Sequence, residues 1–422
     1  MREMKDSGIS WVGEIPKEWR CLPIRALFTE NRNKNFLGRE TKALQFKYGT
    51  IVPKKNFDPE ENYVAETILN YNIVDRGMIM LNGLNLNFDF VSKRIALVAE
   101  RGIITSAYMS FYPTDTTIVL SEYANYLLKS YDNCAAFHNM GGGVRKILNF
   151  DELKRQYFVL PPLDEQQRIA EFLDRECGKI DGLKEDIQSQ IDTLEQYKRS
   201  VITEAVTHGL NPSAPMKDSG AGWMPLIPLH WKADKLKFHL RQRGIKNQID
   251  KQVLSLYREY GIVPKDSRDD NHNVTSEDVS DYRYVRVGDF VVNKMKAWQG
   301  SVAVSNYEGI VSPAYFVYEF SDDLINKRYF HYLMRNKTYA TEFRRLSGGI
   351  REGQWDLPSE ALNNTIILLP SLDEQQEIAD YLDNKCAEIE QIIADKKSQI
   401  ETLDGYKKSL IYEYVTGKKE VG

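Results

Sequence analysis

Two stretches of the chain carry a hydrophobic rhythm unlike the rest. Over residues 163–209 and 372–418 there is no Pro, and Gly occurs three times and twice respectively. In the first, apolar side chains recur in steps of three and four at Ile180, Leu183, Ile187, Ile191, Leu194, Val201 and Ala205, with Tyr197 between. The second answers with Ile389, Ile392, Ile400, Leu403, Leu410 and Tyr414, with Tyr406 between and Lys396 as the one break. Such steps place the side chains on one narrow helical stripe. A helix of about 40 residues is roughly 60 Å long, and a narrow stripe over that length is a seam for another helix, not the face of a globular core. The chain supplies two such helices, and the reading pairs them with each other. A separate helical hairpin within each segment, broken in the first at Gly182, is the alternative. Asp164 and Asp373, each with a Gln three residues on and a Pro stop just before, predict N-caps of capping-box type.

The remaining stretches, 1–162 and 215–371, mix short strand-like runs with Gly, Pro and Asn turn signals. Ile95 to Val98, Ile310-Val311, Ala314 to Tyr318 and Ile366 to Leu369 are examples, and a helix is predicted over Asp323 to Phe343. The whole pattern is written twice. LDEQQRIAEFLD starts at Leu163 and LDEQQEIADYLD at Leu372, and KDSGISWVGEIPKEW ending at Trp19 returns as KDSGAGWMPLIPLHW ending at Trp231. Between these anchors, Gly142, Gly143 and Arg145 answer Gly348, Gly349 and Arg351. A period near 210 residues is too long for a solenoid and predicts a duplicated pair of domains. The expected architecture is α+β (mixed α/β): domains over 1–162 and 215–371, long helices over 163–214 and 372–422.

Composition narrows the function. The chain has 422 residues, 42% hydrophobic and 27% charged, the profile of an ordinary folded protein. Cys21, Cys134, Cys177 and Cys386 have no CxxC spacing, so neither a disulfide framework nor a usual zinc site is expected. The start MREMKDSGIS lacks an apolar core and no 18 apolar residues run together, which reads against a secretory signal and a membrane span. The expected home is the cytoplasm.

Motifs for chemistry are nearly absent: there is no GxxxxGK[ST], HExxH or GxSxG, and the six His are scattered. Gly141 to Gly143 reads as a turn more readily than as a phosphate cradle. The Asp-Glu pairs at 164–165 and 373–374 do not face one site on a helix. No active site and no metal site are expected.

Basic side chains interleaved with aromatic and amide residues are the better lead. Lys34, Lys47, Lys54 and Arg145 in the first domain, and Arg241, Arg243, Lys265, Lys294, Lys296, Arg344, Arg345 and Arg351 in the second, are candidates for DNA contact. Lys and Arg neutralise phosphates, and Arg has the donor geometry to read base edges. A solvated face accounts for any single one of them; their matched placement around Gly142, Gly143, Gly348 and Gly349 favours close approach to DNA. The net charge of −4 argues otherwise only as an average. Residues 1–162 and 215–371 each carry +3, and 163–214 and 372–422 each carry −5.

The opening SGISWVGEIPKEW with its copy, VGDFVVNKMKAWQG followed by GIVSPAYFVY, and above all LPPLDEQQRIAEFLD with LPSLDEQQEIADYLD resemble the DNA-specificity subunits of type I restriction-modification systems over essentially the whole chain. The resemblance implies two target recognition domains, each reading one half of a bipartite, asymmetric double-stranded site. It also implies two long antiparallel helices that set the spacer and bind two adenine-N6 methyltransferase subunits. S-adenosylmethionine would then sit in those partners, and ATP and Mg in translocase-nuclease subunits. Gln166, Gln167, Gln375 and Gln376 are the candidate partner contacts on the helices. The competing expectation is a coiled-coil scaffold that binds only proteins.

Overall fold

A computed structural model describes residues 2–55, 57–58, 67–142, 144–258, 260–267, 275–276, 278–349 and 355–421. The chain forms two compact units, Gln188–Lys396 and a second made of Met1–Ile187 together with Lys397–Gly422. The unit that contains the N-terminal stretch is called the first unit below.

The first unit is built on a four-stranded antiparallel sheet in the order Phe28–Glu30, Met109–Pro113, Ile79–Leu81, Ile95–Leu97. Strand Ile79–Leu81 is buried at every position, so its side chains feed cores on both faces. The helix Ser121–Asn133 buries Tyr123, Leu127, Ser130 and Tyr131, spaced as one helical face, and stops at Ala135, whose φ is +56°. Tyr123 donates through its hydroxyl to the carbonyls of Val159 and Val415 at 3.2 and 3.1 Å, which satisfies a fully buried phenol.

The second unit repeats the order of strands: Leu240–Arg243, Tyr315–Phe320, Phe290–Asn293, Val302–Val304. Its helical part departs from the expected single run over Asp323 to Phe343. Two helices, Lys327–Arg335 and Lys337–Leu346, meet at Asn336. The Asn336 side chain accepts from the amides of Thr338 and Tyr339, so a residue inside the apolar pattern ends one helix and caps the next.

Leu163–His208 and Leu372–Val415 are each one continuous helix, so Gly182 breaks nothing. At 46 and 44 residues they are about 69 and 66 Å long. Within the first unit Lys184 pairs with Asp404 and Asp181 with Lys407, both at 2.5 Å. Within the second, Lys198 pairs with Glu390 and Lys396 donates to Gln190. In each unit the partner number falls as the first rises, so the two helical stretches run antiparallel there.

The buried stripe differs in detail from the expected one. Leu183 and Tyr197 are exposed, and Lys184 and Lys198 take their places on the stripe; Ile393 replaces the exposed Ile392 and Lys407 the exposed Tyr406. Steps of three or four are equally helical, and hydrophobicity alone chose the wrong neighbour. A lysine stem lies along the seam while its ammonium reaches a carboxylate on the other helix. Among the described residues no helix is long and apolar enough to cross a membrane.

Candidate nucleic-acid interface

In both units one loop leaves the central strand and docks on a Gly-containing loop. In the first unit the Leu148 amide donates to the Gly83 carbonyl at 2.9 Å, and Leu86 donates to Lys146 at 3.0 Å. Asn87 completes the seam: its Nδ2 donates to the Val144 carbonyl and its Oδ1 accepts from the Lys146 amide. Gly83 is required here, because a Cβ would stand 2.2 Å from the Leu148 carbonyl oxygen. In the second unit the Leu357 amide donates to the Lys294 carbonyl at 2.9 Å, the same bond in another sequence.

Arg94 organises the first of these loops. It is fully buried, and its guanidinium donates to the carbonyls of Asn82, Leu84 and Asp89, while its amide donates to Asp132. Burial raises the Asp132 carboxyl above its usual range against the pull of that amide. The loop held this way presents Phe88, Phe90 and Val91 to solvent, with Phe90 stacked on His138 at 4.8 Å.

The predicted DNA contacts fall into groups. In the second unit Lys294 and Arg344 come together with two tryptophans. Lys294 pairs with Asp356 at 2.8 Å, Gly348 bridges to Asp356, and the Arg344 guanidinium lies 6.0 Å from both the Trp298 and Trp355 rings. Lys296 and Gly349 are exposed nearby in sequence, and Arg345 is exposed while paired with the buried Glu342. In the first unit Arg145 is exposed in the docked loop, and Gly142 bridges to Ile147. Space around Gly142 and Gly348 is open, whereas Gly141, with φ +82°, packs too tightly on Ile147 for any side chain. That is a turn, not a phosphate cradle. Gly143 and Arg351 lie outside the described residues.

Lys47 and Lys54 are exposed on the hairpin of Leu44–Lys47 and Thr50–Pro53 and just beyond it, and Lys34 donates to the Asn70 carbonyl. Lys265 donates to Thr275, and Arg241 is exposed on the edge strand Leu240–Arg243.

Three of the predicted site residues are corrected. Arg243 is buried to 9% side-chain exposure and spent on Asp289 and Glu319, so it is not offered to phosphate. Burial lifts the Asp289 carboxyl even beside that guanidinium. Gln166 and Gln375, expected to face a partner, have no exposed surface. Gln166 donates to the Ile118 and Pro161 carbonyls and accepts from the Leu120 amide; Gln375 does the same with Leu324, Pro370 and Asn326. Gln167 and Gln376 are exposed, but they bond to Glu171 and Asp380 and do not close a capping box. The second long helix is capped by Ser371, whose hydroxyl accepts from the Glu374 amide, and the first opens on Pro162.

The sequence reading missed why LDEQQ recurs. Glu165 accepts from the Trp19 indole at 2.9 Å and Glu374 from the Trp231 indole at 3.0 Å. Tyr126 donates to Asp174 and Tyr332 to Asp383 a few turns further on. The duplicated text is the joint by which each domain grips its helix. The repeated Trp at a fixed distance from it was the available signal.

The family described as the type I restriction modification DNA specificity domain matches residues 95–193 and 245–402. A putative type I restriction enzyme MjaX specificity subunit of Methanocaldococcus jannaschii is 21% identical, covering 97% of this chain and 96% of its own length. A solved chain from a study of the assembly and conformational transition of a type I R-M system aligns with a TM-score of 0.68 at 15% identity, over 96% of this chain and 99% of that one. The HsdS subunit from Thermoanaerobacter tengcongensis aligns at 15% identity with a TM-score of 0.49, over 96% and 98%.

Proposed function

The chain belongs to the type I restriction-modification DNA specificity family, and from that premise we propose that it reads a bipartite, asymmetric double-stranded DNA site, one half per unit, while docking two adenine-N6 methyltransferase subunits. Specificity subunits are the non-catalytic DNA-recognition components of these systems, so methyl transfer and cleavage belong to its partners. S-adenosylmethionine is held by the methyltransferases, and ATP with Mg by any restriction subunits that join. The complex works in the cytoplasm.

The observation that carries the proposal is the same docked loop pair on the same four-stranded sheet in both units, furnished with different side chains. One pair presents Arg145 beside an Arg94-braced aromatic loop; the other presents Lys294 and Arg344 with Trp298 and Trp355, and Lys296 and Arg345 are exposed close by in sequence. Two like frames carrying unlike loops suit two unlike half-sites. Cations there anchor phosphate, and arginine and amide side chains read base edges. Lys34, Lys47, Lys54, Arg241 and Lys265 extend the phosphate contacts. The duplicated long helices act as an antiparallel coiled coil that fixes the spacer, and their acidic outer faces stay clear of phosphate.

Expressing the chain with its methyltransferase in a host lacking other adenine methylation, then mapping N6-methyladenine, tests this. The expected map is one motif of two different halves around a fixed spacer. An uninterrupted motif, or no methylation dependent on this chain, would overturn it.

A further inference from the structure

The hairpin Leu44–Lys47/Thr50–Pro53 of the first unit turns through Tyr48 and Gly49, with φ of +50° and +74°. Two consecutive left-handed residues make the turn whose twist suits a hairpin, and its first position ordinarily holds Asn, Asp or Gly. An L side chain there crowds its own backbone. Here the position holds a tyrosine that is 82% exposed, so burial does not account for the choice. Strain kept at an uncovered aromatic is the kind of outlier that marks a ligand contact.

Beside the turn lies a cleft of about 510 Å³ lined by Phe46, Tyr48, Tyr108, Asn82, Lys47 and Lys93. The half-buried Phe46 and Tyr108 rings stand 5.5 Å apart at 52° and give it an apolar wall. Gly49 lets the other wall close in, since a Cβ there would lie 2.8 Å from the Lys93 Cβ. The cleft therefore offers aromatic faces, two ammonium groups and one amide. These complement a heteroaromatic ring, a phosphate and a hydrogen-bonding base edge.

We propose that this cleft binds a single unstacked nucleotide, its base against Tyr48 and Tyr108, its phosphate held by Lys47 and Lys93, and its edge met by Asn82. The proposal rests on the DNA-reading function, which supplies such a nucleotide from a strand; a free mononucleotide has the same chemistry. The matching hairpin of the second unit, Leu254–Tyr257/Gly261–Pro264, is filled differently. Tyr257 and Tyr260 meet edge to face at 6.4 Å, and Arg335 donates to the Arg258 carbonyl at 2.7 Å. The proposal is made for the first unit, whose hairpin carries the cleft.

The purified full chain is titrated with two fluorescent probes: the deoxyribonucleoside 5′-monophosphate of 2-aminopurine, and a short single strand with one central 2-aminopurine. Stacking quenches this base. The expected result is quenching that Tyr48→Ala weakens on the order of tenfold and that the double variant Lys47→Ala, Lys93→Ala makes less dependent on salt. Tyr157→Ala, at an exposed tyrosine outside the cleft, leaves it unchanged. Quenching of the strand assigns the source to nucleic acid; quenching of the monophosphate alone assigns it to a free nucleotide. No quenching of either probe, or equal affinity in Tyr48→Ala, overturns the site. A duplex carrying the mapped motif, bound by the methyltransferase assembly, separates the two claims. If it binds equally well with and without the cleft variants, and neither probe is quenched, the cleft falls and DNA reading stands. If it does not bind at all, DNA reading falls, and with it the strand as source.

Discussion

At the scale of single residues, burial decides which charged and polar groups are available for work. His331 illustrates the cost of placing one inside. Burial, and then the Arg335 guanidinium beside it, push its imidazole down to about 4, while its Nδ1 accepts from the Val304 amide at 3.3 Å. A histidine in the unfolded chain takes up its proton near 6.5. Between those values the unfolded state binds the extra proton, so stability contributed by the neutral imidazole is full above about 6.5 and is lost as pH falls toward 4. The total is on the order of 3 kcal/mol. Urea unfolding at about pH 7 and about pH 4.5 should show this loss in the second unit of the wild type and much less of it in His331→Gln; an equal loss in both would refute the assignment. Sequence could name this histidine but not its depth, just as it could name Arg243 as a cation but not find Asp289 and Glu319 waiting for it.

At the scale of elements, the duplicated text foretold more than the chemistry assigned to it. The repeat, the strand runs and the long helices were all legible, because periodicity and punctuation are local. The orientation of each glutamine was not, because it depends on a loop about 50 residues distant. Gln375, itself without exposed surface, answers two carbonyls and one amide at the helix entrance. Replacing it by leucine strands those groups and should cost about 3 kcal/mol in urea unfolding, with Gln166→Leu costing about as much in the first unit. A fall in methyltransferase affinity with no fall in stability would restore the role at a partner interface. Lys184 and Lys198 teach the same lesson, since their place on the seam depends on Asp404 and Glu390 in the other helix.

At the scale of the molecule, the long helices make a quantitative prediction for the proposed spacer. Inserting seven residues of heptad-compatible sequence after Ile187 and again after Lys396 preserves the stripe and lengthens each helix by about 10 Å. That is about three base pairs of duplex, and the methylation map of the variant should show the two half-sites moved apart by that amount or activity lost. An unchanged spacer in an active variant would mean that something other than these helices sets it.

The composition of the first unit also bears on how the chain is made. Gln188–Lys396 is a continuous run, so the second unit has all its parts as soon as Lys396 leaves the ribosome. The first unit, though translated earlier, needs Lys397–Gly422, whose Leu410, Ile411 and Val415 pack with Ile169, Leu173 and Ile180. Order of synthesis and order of completion are therefore opposite: the leading domain waits, with an apolar strip bare, until residues 397–422 arrive. A nascent chain stalled near Lys396 would hold a finished second half and an unfinished first, and would offer that strip to chaperones and proteases.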